Sequence, residues 1–246
     1  MSDFRQPLIV LDVETTGLDE RDTIIDPESK APARGDQLLQ VAAVALDGLD
    51  ELIVPDSRPV AFNGYLRVDS ERFHSLYNQC NDYVRDMHMK SNVWASVSGN
   101  SVMGEVDDRF STFHEDAESI DSGLYDWIEN VFGETKPDLL GASITLDRNF
   151  LRKFTPKSFE LINYRNLDVS SVRNFLIGAN KETFQFNTKQ AEHNGLDDAL
   201  FTAVHAAKIA DQMFGGERAE ALLNQFNENG LPYESIDEAF ENVTLG

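Results

Sequence analysis

The apolar positions follow two periods along the chain, and together they predict a mixed α/β fold. Residues 8–14 form an almost continuous aliphatic run, which is typical of a strand buried on both faces. Residues 38–46 and 61–68 predict a second and a third strand in an antiparallel meander, and residues 138–142 and 164–169 predict two more. We therefore expect an α/β protein with a mixed five-stranded sheet flanked by helices and the first strand near its centre.

Helical periodicity accounts for much of the remaining chain. The clearest helix begins near Gly195 and ends at Gly215 and Gly216, because its apolar residues recur in steps of four and three. Other helices are predicted over residues 70–87 and 122–132, from Thr145 onward, and from a cap at Ser170 or Ser171 to about residue 176. Residues 92–118 are polar and are expected to be irregular.

The predicted elements suggest one main domain with three additions. We expect the domain to span residues 1–214, with polar insertions near residues 19–36 and 91–118. Residues 215–246 form an acidic C-terminal extension, which we interpret as a short helical appendage or a partly disordered tail without catalytic residues.

The composition restricts the kind of partner. The chain has 21 basic and 43 acidic residues, a net charge of −22, which disfavours binding of long nucleic acids through lysine and arginine. A short nucleic acid with metal ions as counter-charge remains compatible, and the acidity has an alternative explanation in solubility or a salty setting. The absence of a long apolar window and of a secretory signal, together with the lone Cys80, favours a cytoplasmic protein without membrane contact.

Acidic residues at the end of the first strand are the strongest indication of chemistry. Asp12 and Glu14 are two positions apart, so on a strand both side chains point to the same face. Two neighbouring buried carboxylates repel each other unless a cation such as Mg²⁺ lies between them. Asp147 at a predicted helix start, and His193 and Asp198 around the start of the long helix, would complete such a site. Taken singly, each also fits a solvated turn, a helix-start acid or a surface histidine.

These residues resemble the motifs of the DEDDh 3′-to-5′ exonucleases, and most closely those of oligoribonuclease. The motifs are D-x-E, a later D, and H followed by four residues and D, which match Asp12 and Glu14, then Asp147, then His193 and Asp198. Four blocks carry the resemblance from about residue 8 to 212: LDVETTGLD, GASITLDRNFL, NYRNLDVS, and TKQ leading into His193.

The resemblance implies a ribonuclease H-like fold and a metal-dependent 3′-to-5′ exoribonuclease. Asp12, Glu14, Asp147 and Asp198 would hold two Mg²⁺ or Mn²⁺ ions, and His193 would act as the general base. The expected substrates are short single-stranded RNA oligonucleotides, hydrolysed to nucleoside 5′-monophosphates. DNA-directed proofreading or repair is the alternative, and a catalytically dead binding module is a further one.

The resemblance also assigns residues to substrate binding and to a homodimer. Leu18 would wedge against a terminal base, and Ser143, Arg165 and Ser170 would hold the far phosphate of a short substrate. Tyr164 would enter the site from the second subunit.

The chain departs from the oligoribonuclease pattern at three positions. Gln40 stands where the family usually has Glu, Ala142 stands where it has Asn, and Ser91 stands near a family Trp that stacks on a base. Trp94 is the expected substitute for that Trp. The remaining histidines have no partner at metal-ligand spacing and are interpreted as structural; they are His74, His88, His114 and His205.

Overall fold

The computed structural model describes residues 6–18, 35–56, 59–98, 110–179 and 194–231, with the backbone of two short strands, β2 (Ile24–Ile25) and β3 (Pro32–Ala33). His193, most of the first predicted insertion and the end of the C-terminal extension lie outside these ranges.

A mixed sheet of six strands forms the centre of the described structure. Its strands are β1 (Pro7–Thr15), β4 (Leu38–Asp47), β5 (Ala61–Leu66), β6 (Ser111–His114), β7 (Asp138–Gly141) and β8 (Asn166–Asp168). The order across the sheet is β6-β5-β4-β1-β7-β8, with antiparallel pairs β1–β4 and β4–β5 and parallel pairs elsewhere. The predicted mixed α/β sheet flanked by helices, with β1 near the centre, is confirmed.

The prediction of five strands is wrong by one edge strand. β6 lies in the stretch that we expected to be irregular, and it pairs with β5 along only one side. None of its four residues is fully buried, and this short edge strand has no continuous apolar run in the sequence.

Nine helices surround the sheet within the described ranges. They are α1 (Ser70–Gln79), α2 (Asp82–Lys90), α3 (Val93–Ser98), α4 (Ala117–Phe132), α5 (Thr145–Phe154), α6 (Pro156–Phe159), α7 (Val169–Ala179), α8 (Gly195–Phe214) and α9 (Arg218–Glu228). None of these helices has the length and apolar character that crossing a membrane requires.

Two helix predictions need correction. The single helix predicted over residues 70–87 is split into α1 and α2, because Cys80 is extended and the Asn81 side chain accepts a hydrogen bond from the Val84 N–H at 2.9 Å. Helix α7 is capped by Asp168, whose Oδ1 accepts from the Ser171 N–H at 2.9 Å, and not by Ser170 or Ser171.

The two faces of the sheet bury different cores. Ile9, Leu11 and Val13 of β1 pack in the core that includes α4 and α5. Leu8 and Val10 pack in the core that includes α8 and α9. Because side chains alternate along a strand, Asp12 and Glu14 continue the face that α8 covers.

The described part of the C-terminal extension is an ordered helix. Leu222 and Phe226 of α9 are buried in the core shared with α8, and the Arg218 guanidinium lies 2.9 Å from Asp211 Oδ1. This arrangement agrees with a helical appendage, while the domain boundary at residue 214 stays a prediction.

Candidate active site

Three predicted metal ligands meet above the centre of the sheet. Asp12 and Glu14 extend from the end of β1, and Asp198 extends from the first turn of α8. One ligand oxygen from each lies within 4.8 Å of the other two. This spacing fits a shared divalent cation, since hard cations take carboxylate oxygens as ligands.

Asp147 is held beside this cluster by the backbone of β1. It lies in the first turn of α5 and is buried, and its Oδ1 accepts a hydrogen bond from the Val13 N–H at 3.1 Å. The structure therefore brings all four predicted carboxylates to one cleft, although only three fall within the common ligand distance.

Burial and mutual repulsion make these carboxyl groups reluctant to ionise. Burial is the main cause that raises the pKa of Asp12 well above its usual value, and the charges of Asp147, Asp198 and Glu14 add to it. Burial, and then Asp198 and Asp147, raise the pKa of Glu14 in the same way. Burial also raises the pKa of Asp147 to about 7. A bound cation would reverse these shifts, so the donor set fits a metal site.

His88 contacts the carboxylate cluster, and no pattern in the sequence indicated this contact. Its ring is fully buried, Nε2 donates a hydrogen bond to the Thr15 carbonyl at 2.8 Å, and Nδ1 lies 3.6 Å from Glu14 Oε2. The contact joins residues 74 positions apart, so no local sequence pattern could have predicted it. His88 thus contacts the end of β1 and the side chain of Glu14.

An open cleft of about 990 Å³ surrounds the carboxylates. Leu18 lies on its wall and is 75% exposed. The chain leading to Leu18 is fixed by Thr16, whose N–H donates to the Gln37 carbonyl at 2.9 Å and whose hydroxyl accepts from the Gln37 N–H at 2.8 Å. An apolar side chain is thus presented to the cleft from an ordered turn.

Tyr83 is an exposed aromatic side chain in the lining of the cleft, whereas Trp94 is not part of that lining. Trp94 is 1% exposed and packs against Phe73, Tyr77 and His88, so the expectation that it stacks on a base is wrong. Tyr83 lines the cleft on α2 and is 66% exposed. The helical pattern carried a signal for it, since Tyr83 falls off the apolar face of its helix.

The predicted phosphate contacts are only partly brought together. Ser143 and Ser170 line the cleft, and Asp168 joins their segments because its Oδ1 also accepts from the Ser143 N–H at 3.4 Å. Ser143 has a positive φ of 58°, which turns the chain sharply between β7 and α5. The cleft wall also includes Arg173, which lies one helical turn after Ser170. No motif in the sequence indicated that Arg173 lines the cleft.

Tyr164 and Arg165 lie away from the cleft of their own chain. Both are exposed, and the Arg165 guanidinium carbon lies 5.0 Å from the centre of the Tyr164 ring. Neither is among the residues that line the cleft. The structure therefore does not bring these two residues to the cleft of their own chain, and their roles stay predictions.

The predicted base, His193, precedes the described part of α8. Asn194 caps that helix, with its side-chain oxygen accepting from the Leu196 N–H at 3.2 Å. The position of the His193 side chain stays a prediction.

Comparison with known proteins finds several relatives that are named oligoribonucleases. The chain is 26% identical to an oligoribonuclease of Cutibacterium acnes over 78% of each chain, and 26% identical to one of Alcanivorax borkumensis over 80% of this chain and 90% of the relative. It is 28% identical to an oligoribonuclease of Mycobacterium leprae over 68% of this chain, but it spans only 61% of that relative.

Two other comparisons add less. No protein-family profile matches the chain. A solved structure of an exonuclease I superposes with a TM-score of 0.47 and 11% identity, covering 91% of this chain and 43% of the other. The chain is therefore similar in sequence to oligoribonucleases over most of its length, and its four predicted carboxylates lie in one cleft.

Proposed function

We propose that this protein is a metal-dependent 3′-to-5′ exoribonuclease that hydrolyses short RNA oligonucleotides to nucleoside 5′-monophosphates. The observation that carries the proposal is the convergence of Asp12, Glu14 and Asp198 within 4.8 Å in an open cleft, with Asp147 beside them. The curated relatives with similar sequences are named oligoribonucleases, which supports RNA as the substrate.

The four carboxylates are proposed to hold two Mg²⁺ or Mn²⁺ ions. When bound, such ions would offset the charge that develops on the attacking water and on the leaving oxygen. Asp12 and Glu14 extend from a rigid central strand and Asp198 from a long helix, so the ligands are fixed before substrate arrives.

His193 is proposed as the general base that takes the proton of the attacking water. An imidazole suits this role because its ordinary pKa is near neutral pH. His193 immediately precedes the Asn194 cap of α8, and Asp198 lies one turn into that helix. The role requires the neutral form of the imidazole, which can accept a proton.

The cleft wall suggests how a short substrate is bound. Leu18 and Tyr83 both line the cleft and are largely exposed, so they are proposed to contact the terminal base. Ser143, Ser170 and Arg173 are proposed to contact phosphate. Arg173 is suited to this role because its guanidinium bonds only weakly, at 3.3–3.4 Å, to the neutral side chain of Asn174.

A homodimer is proposed to complete the site. Four exposed apolar side chains lie on or next to the edge strand β8 and the adjoining helix α7, and we call this the β8–α7 surface. Tyr164 lies two residues before β8, Leu167 lies on β8, and Val172 and Phe175 lie on α7. Burial of this surface against a second copy would carry Tyr164 and Arg165 toward the partner's cleft.

We also propose a catalytic domain over residues 1–214 and a cytoplasmic location. The lone, buried Cys80 supports the proposed location.

The test is hydrolysis of labelled RNA and DNA oligonucleotides, from dinucleotides to long single strands, in Mn²⁺ and in EDTA. We expect Mn²⁺-dependent release of 5′-monophosphates that is fastest for the shortest RNA. Faster cleavage of DNA would favour the proofreading or repair alternative. Absence of hydrolysis at every length and for both sugars would contradict the proposed activity.

A further inference from the structure

A chain of buried side-chain hydrogen bonds anchors the start of α8 to the sheet. Gln40 on β4 is 0% exposed, and its Oε1 accepts from the Gly195 N–H at 3.2 Å. Its Nε2 donates to Asn63 Oδ1 at 2.7 Å, and Asn63 Nδ2 donates to Ser111 Oγ at 3.2 Å. The first residue of α8 is therefore connected through β4 and β5 to the edge strand β6.

Gln40 lies directly beside the carboxylate cluster. In the antiparallel pair β1–β4, Gln40 is opposite Glu14 and Ala42 is opposite Asp12, so all four side chains share the face that α8 covers. A Cβ added to Gly195 would lie 3.2 Å from Gln40 Cδ and 3.3 Å from Ala42 Cβ. The helix thus begins in close contact with the sheet at Gln40, and Asp198 follows three residues later.

A second hydrogen bond fixes the same turn. Asn194 Nδ2 donates to the Tyr65 hydroxyl at 3.3 Å, while Asn194 Oδ1 caps α8. Tyr65 is opposite Gln40 in the pair β4–β5, so two neighbouring positions of the sheet hold two consecutive residues of the helix start. The Asp198 N–H donates to the Asn194 carbonyl at 2.9 Å, so the position of Asp198 follows that of this turn.

We infer that Gln40 is a positioning residue, which sets the first turn of α8 and thereby the distance of Asp198 from Asp12 and Glu14. An amide suits the position for two reasons. It accepts from the Gly195 N–H and donates to Asn63 at the same time, which a carboxylate cannot do. The amide is also neutral, so it adds no further negative charge beside Glu14. The inference deepens the proposed function, because it concerns the geometry of the same metal site.

The test compares Gln40→Met with the wild-type chain. Methionine keeps the volume but removes both hydrogen bonds. We expect faster amide hydrogen exchange at residues 195–198 in metal-free protein, Mn²⁺ binding weakened about tenfold or more, and a lower kcat with a smaller change in KM. Hydrogen exchange reports on the turn whether or not the protein is a nuclease.

The matched control is Gln225→Met on α9. Gln225 makes equivalent bonds far along the chain from this turn, accepting from the Leu52 N–H at 2.8 Å and donating to the Asp50 carbonyl at 2.9 Å. Its loss should affect stability without changing exchange at residues 195–198 or Mn²⁺ affinity.

Asn63→Ala provides a second variant if Gln40→Met does not fold. It leaves Gln40 in place but removes its partner on β5, so the same amides should exchange faster by a smaller factor. Unchanged exchange at residues 195–198 and unchanged Mn²⁺ affinity in the folded variant would overturn the inference. If the wild-type chain hydrolyses no RNA but Gln40→Met still loosens this turn, the proposed function fails and the positioning role stands.

Discussion

Asp147 shows how a single residue can carry both a structural and a chemical role. Its carboxylate accepts the Val13 N–H of β1, which lowers its pKa, but burial outweighs this bond and raises the pKa to about 7. A carboxyl whose pKa is raised in the folded state stabilises the fold at pH values below its unfolded pKa, and this contribution is lost as pH rises through about 7.

The first prediction concerns metal-free stability. Asp147→Asn keeps an oxygen for the Val13 N–H but does not ionise, so in EDTA the variant should become more stable relative to wild type between about pH 4 and pH 8. The difference in the free energy of unfolding should reach the order of a few kcal/mol. Mn²⁺ should remove this difference by stabilising only the wild-type chain. Thermal denaturation across this pH range measures both effects. A difference that does not change with pH would contradict the raised pKa.

The second prediction separates the two aromatic residues near the site. Because stacking on one base is worth about 1–3 kcal/mol, Tyr83→Ala should raise KM for short RNA about five- to hundredfold with little effect on stability. Trp94→Ala should instead lower the free energy of unfolding by about 3–5 kcal/mol, since its ring is buried. Steady-state kinetics and denaturant titration of both variants measure this contrast. A Tyr83→Ala enzyme with wild-type KM would show that no base lies against this side chain.

At the scale of elements, periodicity predicted the main strands and helices but not their interruptions. β1, β4 and α8 were predictable because their apolar runs are long and have a clear period. The break between α1 and α2 was not predictable, because it depends on the Asn81 side chain capping a new helix. The strand β6 was not predictable either, because a short edge strand has little apolar pattern.

The candidate site was predictable where spacing alone defines it. The i and i+2 spacing predicted that Asp12 and Glu14 share one face, and the resemblance to the exonuclease motifs added Asp147 and Asp198. The four residues line one cleft. Contacts that join distant segments, such as His88 with Glu14 and Gln40 with Gly195, depend on the register of the sheet and the packing of helices, and no local pattern encodes them.

The third prediction tests the β8–α7 surface. Phe175 is 74% exposed on this surface, so Phe175→Asp should convert a wild-type dimer to a monomer and reduce hydrolysis of short RNA, because Tyr164 and Arg165 would no longer reach a partner's cleft. Light scattering coupled to size-exclusion chromatography measures the mass. Phe214→Asp, at the exposed end of α8, is the matched control and should leave the dimer intact. A monomeric wild-type chain with full activity would contradict this arrangement.

At the scale of the whole molecule, the net charge of −22 supports the proposal that the substrate is short. Long nucleic acids are held mainly by many lysine and arginine contacts, whereas Arg173 is the only Lys or Arg side chain in the described lining of this cleft. Binding of RNA should therefore depend on the bound metal, on a stacked base and on one or two phosphate contacts. Its affinity should fall only slightly as the salt concentration rises.

The most direct test of the metal-site account is the hydrolysis of a labelled RNA dinucleotide in Mn²⁺ by wild type and by Asp12→Asn. We expect the variant to hydrolyse the dinucleotide more slowly by about a thousandfold or more, because a central metal-binding carboxylate is lost. We expect its melting temperature in EDTA to be unchanged or higher, because the repulsion of Asp12 with Glu14, Asp147 and Asp198 is removed. An Asp12→Asn protein that cleaves the dinucleotide at the wild-type rate would place the chemistry elsewhere.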